Sequence, residues 1–292
     1  MNRYRVLNAI ARFPLKGTGL LVRALRKVWL PAQKSGMVIT TLQGYRMEID
    51  PVNDVGLERE LYYHGTYESG TLQLMEQLLP PGGTFVDAGA NIGLMTLHAA
   101  QIVGRTGRVL AFEPQPTTHE ILQRNVALNG FSWTAIHALA LGDTAGTATI
   151  YARAHVGRGG SSLYAPEAQA SGVEVEVVTL DSKITGPVDL LKVDVEGHEV
   201  PVLEGARQLL SGAHPPAVIV ECSSGTAGNR TAILALFAQL PHYAPFRHIT
   251  WKGNLGPLRP IHDEQDLPEH DNIVFLTATQ RKRLGALIQE DK

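Results

Sequence analysis

Hydrophobic positions along most of this chain switch regularly between the alternation typical of a strand and the three-to-four-residue spacing typical of a helix. This pattern predicts strands over Thr84–Asp87, Arg108–Glu113, Ala135–Leu141, Thr147–Tyr151, Val173–Thr179, Asp189–Asp194, Ala217–Glu221 and Asn272–Leu276. Between them it predicts helices over Gly93–Val103, Thr117–Asn129, Val200–Leu210 and Thr231–Gln239. Strands that alternate with helices of this length indicate a doubly wound α/β fold, in which helices cover both faces of a mostly parallel sheet.

The chain is predicted to have four segments along its length. They are a basic amphipathic helical extension (1–35), a hairpin and helical cap (36–80), the α/β core (81–278) and a C-terminal tail (279–292). Apolar runs on both sides of Gln43-Gly44 indicate the hairpin. The cap continues with helices over Glu58–Tyr63 and Gly70–Leu79, which Pro80-Pro81-Gly82-Gly83 brings to an end.

Composition places the chain among globular proteins, since 44% of its residues are hydrophobic and 18% are charged. The net charge of −2 argues against nucleic acid as a partner of the whole molecule. Cys222 is the only cysteine, so no intrachain disulfide forms, which suits a reducing compartment. No apolar run reaches the ~18 residues of a spanning helix, and basic residues interrupt any signal-peptide core, so we expect a cytoplasmic protein.

The first 47 residues contain nine basic residues and no acidic one. Because the whole chain has 26 basic and 28 acidic residues, the remainder has 17 basic residues and a net charge of −11. The second predicted helix of residues 3–30 places Leu21, Leu25, Val28 and Trp29 on one stripe. Two interpretations stay open. The helix packs on its own domain, which we favour, or it makes a weak contact with an anionic membrane surface.

The first core strand ends in an acid, and a glycine turn follows it. Ligands of doubly wound sheets lie beyond the carboxyl ends of the strands, and Val86–Gly93 (VDAGANIG) is at such an end. Gly89 permits a tight bend, and Gly93 lets the following helix pack closely. A dinucleotide site requires G-x-G-x-x-G, whereas the spacing here is G-x-x-x-G and Asp87 precedes it. A carboxylate there repels a pyrophosphate but suits the ammonium of S-adenosylmethionine.

The next two strand ends have the groups that an adenosine requires. Glu113, followed by Pro114, lies twenty residues after Gly93, where a carboxylate accepts hydrogen bonds from both ribose hydroxyls. Leu141 can face an adenine ring and Asp143 can accept from its amino group. Asp143 has an alternative role in a hairpin turn, because Thr144-Ala145-Gly146 follows it.

These segments resemble the FkbM-type methyltransferases, a branch of the Rossmann-like methyltransferases. The matching runs are FVDAGANIG (85–93), FEP (112–114), VTLD (178–181), LKVDVEGHE (191–199), VEC (220–222) and DNIVF (271–275). The resemblance implies a sheet with one antiparallel strand near its end, and methyl transfer from S-adenosylmethionine to a hydroxyl of a sugar, glycan or natural product. The cofactor residues it implies are Glu68, Asp87, Gly89, Ala90, Asn91, Gly93, Glu113, Pro114, Leu141, Asp143 and Asp194. Ser69 departs from the family, which often has proline after the acid.

A hydroxyl nucleophile needs a group that removes its proton as the new bond forms. The candidates near the end of the fourth core strand are Asp194, Glu196, His198 and Glu199. We favour His198 as the general base, because a helix N-terminus disfavours imidazolium. Asp194 would line the methyl site, and Glu196 would orient the histidine or bind the acceptor. We expect no metal. The alternatives are a solvated or capping His198, and Mg²⁺ held by Asp194, Glu196 and Glu221.

The acceptor is expected to contact two segments with few hydrophobic positions. The first is Arg153–Tyr164, and the second is His248–Asp271, which includes Trp251, Lys252, Asn254 and His262. Methylation of nitrogen or of a carboxylate is an alternative within the same chemistry. A nicotinamide-dependent oxidoreductase and a non-catalytic S-adenosylmethionine-binding module are alternatives from other classes.

Overall fold

The computed structural model describes residues 3–11, 18–151, 172–223, 227–251, 254–267 and 270–289. The helices are α1 (Arg3–Ala11), α2 (Thr18–Trp29), α3 (Leu57–His64), α4 (Ser69–Leu78), α5 (Leu94–Val103), α6 (Pro116–Asn129), α7 (Leu180–Lys183), α8 (Glu199–Glu204), α9 (Arg207–Ser211), α10 (Ala227–Ala238) and α11 (Ala278–Leu284). The strands are β1 (Met37–Thr40), β2 (Arg46–Ile49), β3 (Thr84–Ala88), β4 (Arg108–Phe112), β5 (Thr134–His137), β6 (Ala140–Leu141), β7 (Gly146–Tyr151), β8 (Gly172–Val178), β9 (Leu190–Val193), β10 (Ala217–Ser223), β11 (Tyr243–Trp251), β12 (Asn254–Pro260) and β13 (His270–Thr277).

Eight strands form the central sheet in the order β12-β11-β13-β10-β9-β3-β4-β5. The five strands from β10 to β5 are parallel, which confirms the predicted doubly wound fold. Strand β13 is antiparallel to β10, as predicted, and β12 is a further strand that runs antiparallel to its neighbour β11. The strand order reverses between β3 and β9, so the ligand crevice of this fold class lies beyond their carboxyl ends.

The core is buried on both faces of this sheet. Phe85 and Val86 are consecutive residues of β3, yet they belong to two different apolar clusters, because successive side chains of a strand point to opposite faces. Every residue of β9 is buried, as expected for a central parallel strand covered by helices on both sides. The strand ends that lead to the crevice are therefore held rigidly by packing.

The N-terminal helices share one of these clusters. Tyr4 and Leu7 of α1 are buried in it, and the hydroxyl of Tyr4 donates to the carbonyl of Tyr62 in α3 at 3.0 Å. On α2, Val22 is buried, whereas Leu21 and Val28 of the predicted stripe are exposed. Leu25 of the stripe packs against the same cluster, so the helix does pack on its own domain, although only part of the predicted stripe takes part.

Three predicted elements differ from the structure. The predicted strand Ala135–Leu141 is split in two, because β5 ends the central sheet and β6 joins a separate three-stranded sheet in the order β6-β8-β7. The predicted helix Val200–Leu210 is broken between α8 and α9, at the point where the backbone carbonyl of Gly142 approaches Gly205. The segment predicted as a C-terminal tail includes α11, whose Leu284 is buried.

Strands β11 and β12 were not predicted, although both belong to the central sheet. Strand β12 contains Gly256, Pro257 and Pro260, which normally indicate a loop. Proline is tolerated there because β12 is an edge strand and its outer side needs no ladder hydrogen bonds.

Gly205→Ala should destabilise the fold strongly. A Cβ at this position would lie 2.0 Å from the carbonyl oxygen of Gly142, and a backbone atom cannot move aside as a side chain can. We expect the free energy of unfolding to fall by about 3 kcal/mol. Gly146→Ala is the matched control, because a Cβ there meets nothing within 4 Å. Urea unfolding of both variants checks this, and equal stabilities would show that the two segments are not in close contact.

Candidate active site

A cavity of about 330 Å³ lies at the carboxyl ends of β3, β4 and β9. Eleven of the residues proposed from the sequence line it, namely Glu68, Asp87, Gly89, Ala90, Asn91, Glu113, Pro114, Leu141, Asp194, Glu196 and His198. Gly93 and Asp143 do not. A Cβ on Gly93 would lie 2.5 Å from Leu122, so this glycine allows α5 and α6 to pack together. Asp143 is exposed in the connection between β6 and β7, which pair with opposite sides of β8 and form no hairpin with each other.

The turn after β3 is pressed against the end of β9. Gly89 has a φ of +86°, and a Cβ there would lie 1.8 Å from the carbonyl oxygen of Asp194. The amides of Gly89 and Ala90 both donate to the carbonyl of Phe112, at 3.0 and 2.9 Å. Only glycine fits this close approach without strain, so the turn is fixed to the two neighbouring strands.

Glu113 is held in the cavity wall by the backbone. Its Oε2 accepts the amide of Asn91 and its Oε1 accepts the amide of Gln115, both at 2.9 Å. Burial nevertheless raises the pKa of Glu113 to about 7, since these two hydrogen bonds only partly compensate for lost hydration. A carboxylate oxygen can accept a second hydrogen bond, so Glu113 can still bind the hydroxyls of a ligand.

Asp87 is a second buried acid in the same wall. Its Oδ2 accepts the hydroxyl of Thr96 at 2.6 Å, and burial raises its pKa to about 6. Burial therefore disfavours the charge of both Asp87 and Glu113. A cationic ligand would favour their ionised forms, because opposite charge offsets the cost of desolvation.

Lys192 is a site residue that the sequence interpretation missed. It is buried in the middle of β9, and its Nζ lies 2.6 Å from Oδ2 of Asp194. Burial works against the ammonium charge, but Asp194, Glu68 and Glu221 raise the pKa of Lys192 above its usual value. Lys192 therefore stays charged and balances part of the acidic wall. The sequence feature that could have identified Lys192 is that it is the only charged residue within the apolar run of β9.

The carboxylates of Asp194, Glu196 and Glu221 form a cluster, with one oxygen of each within 4.8 Å of the others. The charge of Asp194, together with burial, raises the pKa of Glu221 to about 10, so Glu221 keeps a proton and donates it to Asp194. These are the ligands of the metal alternative. The cluster already has two sources of charge balance, Lys192 and this shared proton. That a metal is not required stays a prediction.

His198 is half-buried in the cavity wall and directly precedes α8, which begins at Glu199. His198 occupies the N-cap position of α8, but its side chain makes no capping hydrogen bond. Burial lowers the pKa of His198, and the charge of Asp143 opposes that effect. The imidazole is consequently neutral at neutral pH and can accept a proton.

Glu199 has a positioning role rather than the role of a base that the sequence left open. Its Oε1 accepts the amides of Val195 and Gly197, at 3.3 and 2.9 Å, and its Oε2 accepts the amide group of Asn229. This carboxylate therefore supports the loop on which Glu196 has a φ of +52°.

The described residues of the acceptor segment His248–Asp271 do not line the cavity. Of His248–Asp271, the described part is mostly β11 and β12, His248 is buried, and Asn254 accepts a hydrogen bond from Gln73. The segment Arg153–Tyr164, Lys252 and the side chain of Trp251 lie outside the described residues. Three of the described cavity residues that the sequence interpretation missed, Asp54, Leu57 and Tyr67, precede or begin the cap helices α3 and α4.

The comparisons with known proteins give one consistent result. A family model described as the methyltransferase FkbM domain matches residues 87–244. Methyltransferase sdnD of Sordaria araneosa is 32% identical over 161 residues, which are 44% of this chain and 61% of that protein. Methyltransferase 1 of Beauveria bassiana is 34% identical over 152 residues, which are 43% of this chain and 59% of that protein. The chain thus spans about three fifths of the length of these relatives.

Two solved structures are similar at lower identity. An S-adenosylmethionine-dependent O-methyltransferase of Thermotoga maritima is 15% identical with a TM-score of 0.43, over 92% of this chain and 83% of that one. The methyltransferase FkbM of Methylobacillus flagellatus is 18% identical with a TM-score of 0.42, over 74% of this chain and 52% of that one. Because both the sequence identities and the TM-scores are low, neither similarity supports a conclusion about activity.

Glu221→Gln should reduce the pH dependence of stability. The folded protein keeps the Glu221 proton up to about pH 10, whereas an unfolded chain releases it near ~4.3. The folded state binds more protons in that range, so the free energy of unfolding falls as the pH rises. Glutamine cannot titrate but can still donate to Asp194. Between about pH 6 and about pH 9 the slope should become shallower by up to about 1 kcal/mol per pH unit.

Urea unfolding at several pH values measures this slope. Glu174→Gln on the exposed face of β8 is the matched control and should leave the slope unchanged. A Glu221→Gln protein whose stability depends on pH as steeply as the unsubstituted protein would contradict the shared proton.

Proposed function

Since the chain belongs to the FkbM family of methyltransferases, as its motifs predicted, we propose that it transfers the methyl group of S-adenosylmethionine to a hydroxyl oxygen of an uncharged sugar, glycan or natural-product acceptor. The observation that carries this proposal is that one cavity joins Glu113 at the end of β4 to Asp194 and His198 beyond β9. The same cavity therefore contains a carboxylate that can bind the hydroxyls of a nucleoside and a neutral base that can accept a proton.

The donor set of the cavity fits S-adenosylmethionine. Glu113 would accept the ribose hydroxyls, and Asp87 and the turn Gly89–Asn91 would receive the amino-acid end. Leu141 and Phe112 offer apolar surface for the adenine. When bound, the cofactor supplies a methyl group that its sulfonium already activates. The protein then has to hold the nucleophile in line and remove its proton.

His198 is the group that we assign to proton removal. It lines the cavity, and its lowered pKa keeps it neutral at neutral pH. Glu221 is protonated and Asp194 is paired with Lys192, so both are weaker bases in this environment. Glu196 would bind the acceptor hydroxyls beside the base.

The charge of the cavity indicates which acceptors suit it. Among the residues that the structure describes, seven carboxyl groups line it, those of Asp54, Glu68, Asp87, Glu113, Asp194, Glu196 and Glu221, against the one ammonium group of Lys192. Such a wall repels phosphate and carboxylate groups and accepts hydrogen bonds from hydroxyls. This supports an uncharged polyhydroxylated acceptor and argues against nucleic acid.

Glu113→Ala should weaken binding of S-adenosylhomocysteine by about 100-fold, because hydrogen bonds to a charged acceptor contribute about 1.5–3 kcal/mol each. Isothermal titration calorimetry measures this, with Glu174→Ala as the matched exposed control. NAD should give no heat. Binding of NAD in place of S-adenosylhomocysteine would restore the nicotinamide-dependent alternative, and binding of neither would contradict the proposed cofactor.

His198→Gln should lower kcat by about 10²–10⁴-fold and leave cofactor affinity unchanged, because it removes the base only. His214→Gln, at an exposed histidine, is the control. The assay measures transfer of a radioactive methyl group to neutral, amino and acidic methyl glycosides, with and without EDTA. Because the neutral imidazole is the active form, the acid limb of the rate profile should lie below the ordinary histidine pKa of about 6.5.

Each outcome of that assay has a defined meaning. O-methylated neutral glycosides, identified by NMR and formed equally in EDTA, support the proposal. N-methylated amino glycosides would show that the protein methylates nitrogen. Loss of rate in EDTA would support the metal alternative. Cofactor binding with no transfer to any glycoside would favour the non-catalytic module.

A further inference from the structure

Helix α2 has an exposed apolar face. The exposed fractions of its side chains are 75% for Leu20, 52% for Leu21 and 79% for Val28. Leu20, Ala24 and Val28 are four residues apart and form one row along the helix, which Leu21 extends. Isolated exposed leucines are ordinary on protein surfaces, but a continuous row on one helix face indicates a contact surface.

The position of this face is fixed by contacts on the other side of the helix. Val22 and Leu30 are buried, and Arg26 forms a 2.9 Å hydrogen bond with His64 at the end of α3. The rest of the domain thus packs against this side of α2 and not against the apolar row. The apolar row serves no described packing contact within the chain.

Basic residues border the apolar row. Arg23 and Lys27 are exposed and form the adjacent row, again four residues apart. Residues 1–47 contain no acidic residue, whereas the remainder of the chain has a net charge of −11. The positive charge of this face therefore complements an anionic surface. The same face on a second copy of the chain would be repelled, because it is also positively charged.

We propose that the exposed face of α2 binds an anionic lipid surface. An amphipathic helix with leucine, valine and a partly exposed tryptophan, Trp29, beside lysine and arginine has the chemistry of a helix that lies in the membrane interface. No helix among the described residues is long and apolar enough to cross a membrane. This inference is independent of the reaction that the cavity catalyses.

The docking face lies close to the cavity. Helix α3 connects them, since its His64 contacts α2 and its Leu57 lines the cavity. Eight residues of helix are about 12 Å long. Docking through α2 would therefore keep the cavity near the lipid surface and shorten the search for an acceptor located there.

Vesicle sedimentation of the full chain tests the proposal. Phosphatidylcholine vesicles containing about one third phosphatidylserine should bind it, pure phosphatidylcholine vesicles should bind it weakly, and salt should release it. Arg23→Gln with Lys27→Gln should reduce the partition coefficient by roughly 30-fold, since each cation near an anionic surface contributes a factor of about five. Leu21→Asn with Val28→Asn should reduce it by roughly 10-fold or more.

Matched controls separate this face from general surface effects. Arg281→Gln with Lys282→Gln makes the same charge change on α11, and Val38→Asn with Val173→Asn makes a similar apolar change at other exposed positions. Both controls should bind vesicles like the unsubstituted chain. Circular dichroism and cofactor titration confirm that every variant is folded.

Two results would overturn the proposal. One is equal binding of anionic vesicles by the α2 variants and the unsubstituted chain, or no binding by any of them. The other is a concentration-dependent dimer, seen by analytical ultracentrifugation, that Leu21→Asn with Val28→Asn abolishes while vesicle binding is unaffected. That result would assign the face to a second copy of the chain.

Discussion

The ion pair between Lys192 and Asp194 makes the acidic cavity possible. Among the described residues, seven carboxyl groups line this site and three of them are buried, and that much unbalanced charge would oppose folding. Lys192 is buried at the centre of β9 and places one ammonium group 2.6 Å from Asp194 and close to Glu68 and Glu221. The remaining charge is reduced by protonation, because Glu221, Glu113 and Asp87 all have raised pKa values.

This arrangement links stability to ligand binding. Burial makes the charged forms of Asp87 and Glu113 unfavourable in the free protein. A ligand that has a cationic group and donates hydroxyl hydrogens would stabilise those charged forms. A ligand without a cationic group would leave the charged forms of these acids unfavourable, so the charge of the ligand contributes to selectivity.

The sequence predicted the parallel core and about half of the described residues that line the cavity, because both depend on local signals. Asp87 lies near the end of an apolar strand, Glu113 and Asp194 directly follow one, and parallel strands of this fold class present their carboxyl ends on one side. Lys192 was missed because its partners Glu68 and Glu221 are distant in the chain. Strands β11 and β12 were missed because Pro245, Pro257 and Pro260 obscure the strand pattern, and only the position of β12 at the sheet edge makes its prolines acceptable.

The contact between Gly89 and the carbonyl of Asp194 has a further consequence. It joins the turn that would hold the cofactor to the strand end that would face the methyl group, so neither can shift without the other. Ligand binding would then require little ordering of these two parts, and a change of acceptor preference need not disturb them. The lip formed by Asp54, Leu57 and Tyr67 is attached to the cap helices instead. Substitutions at these three residues could therefore change which acceptor is bound while the cofactor turn and the end of β9 stay in place.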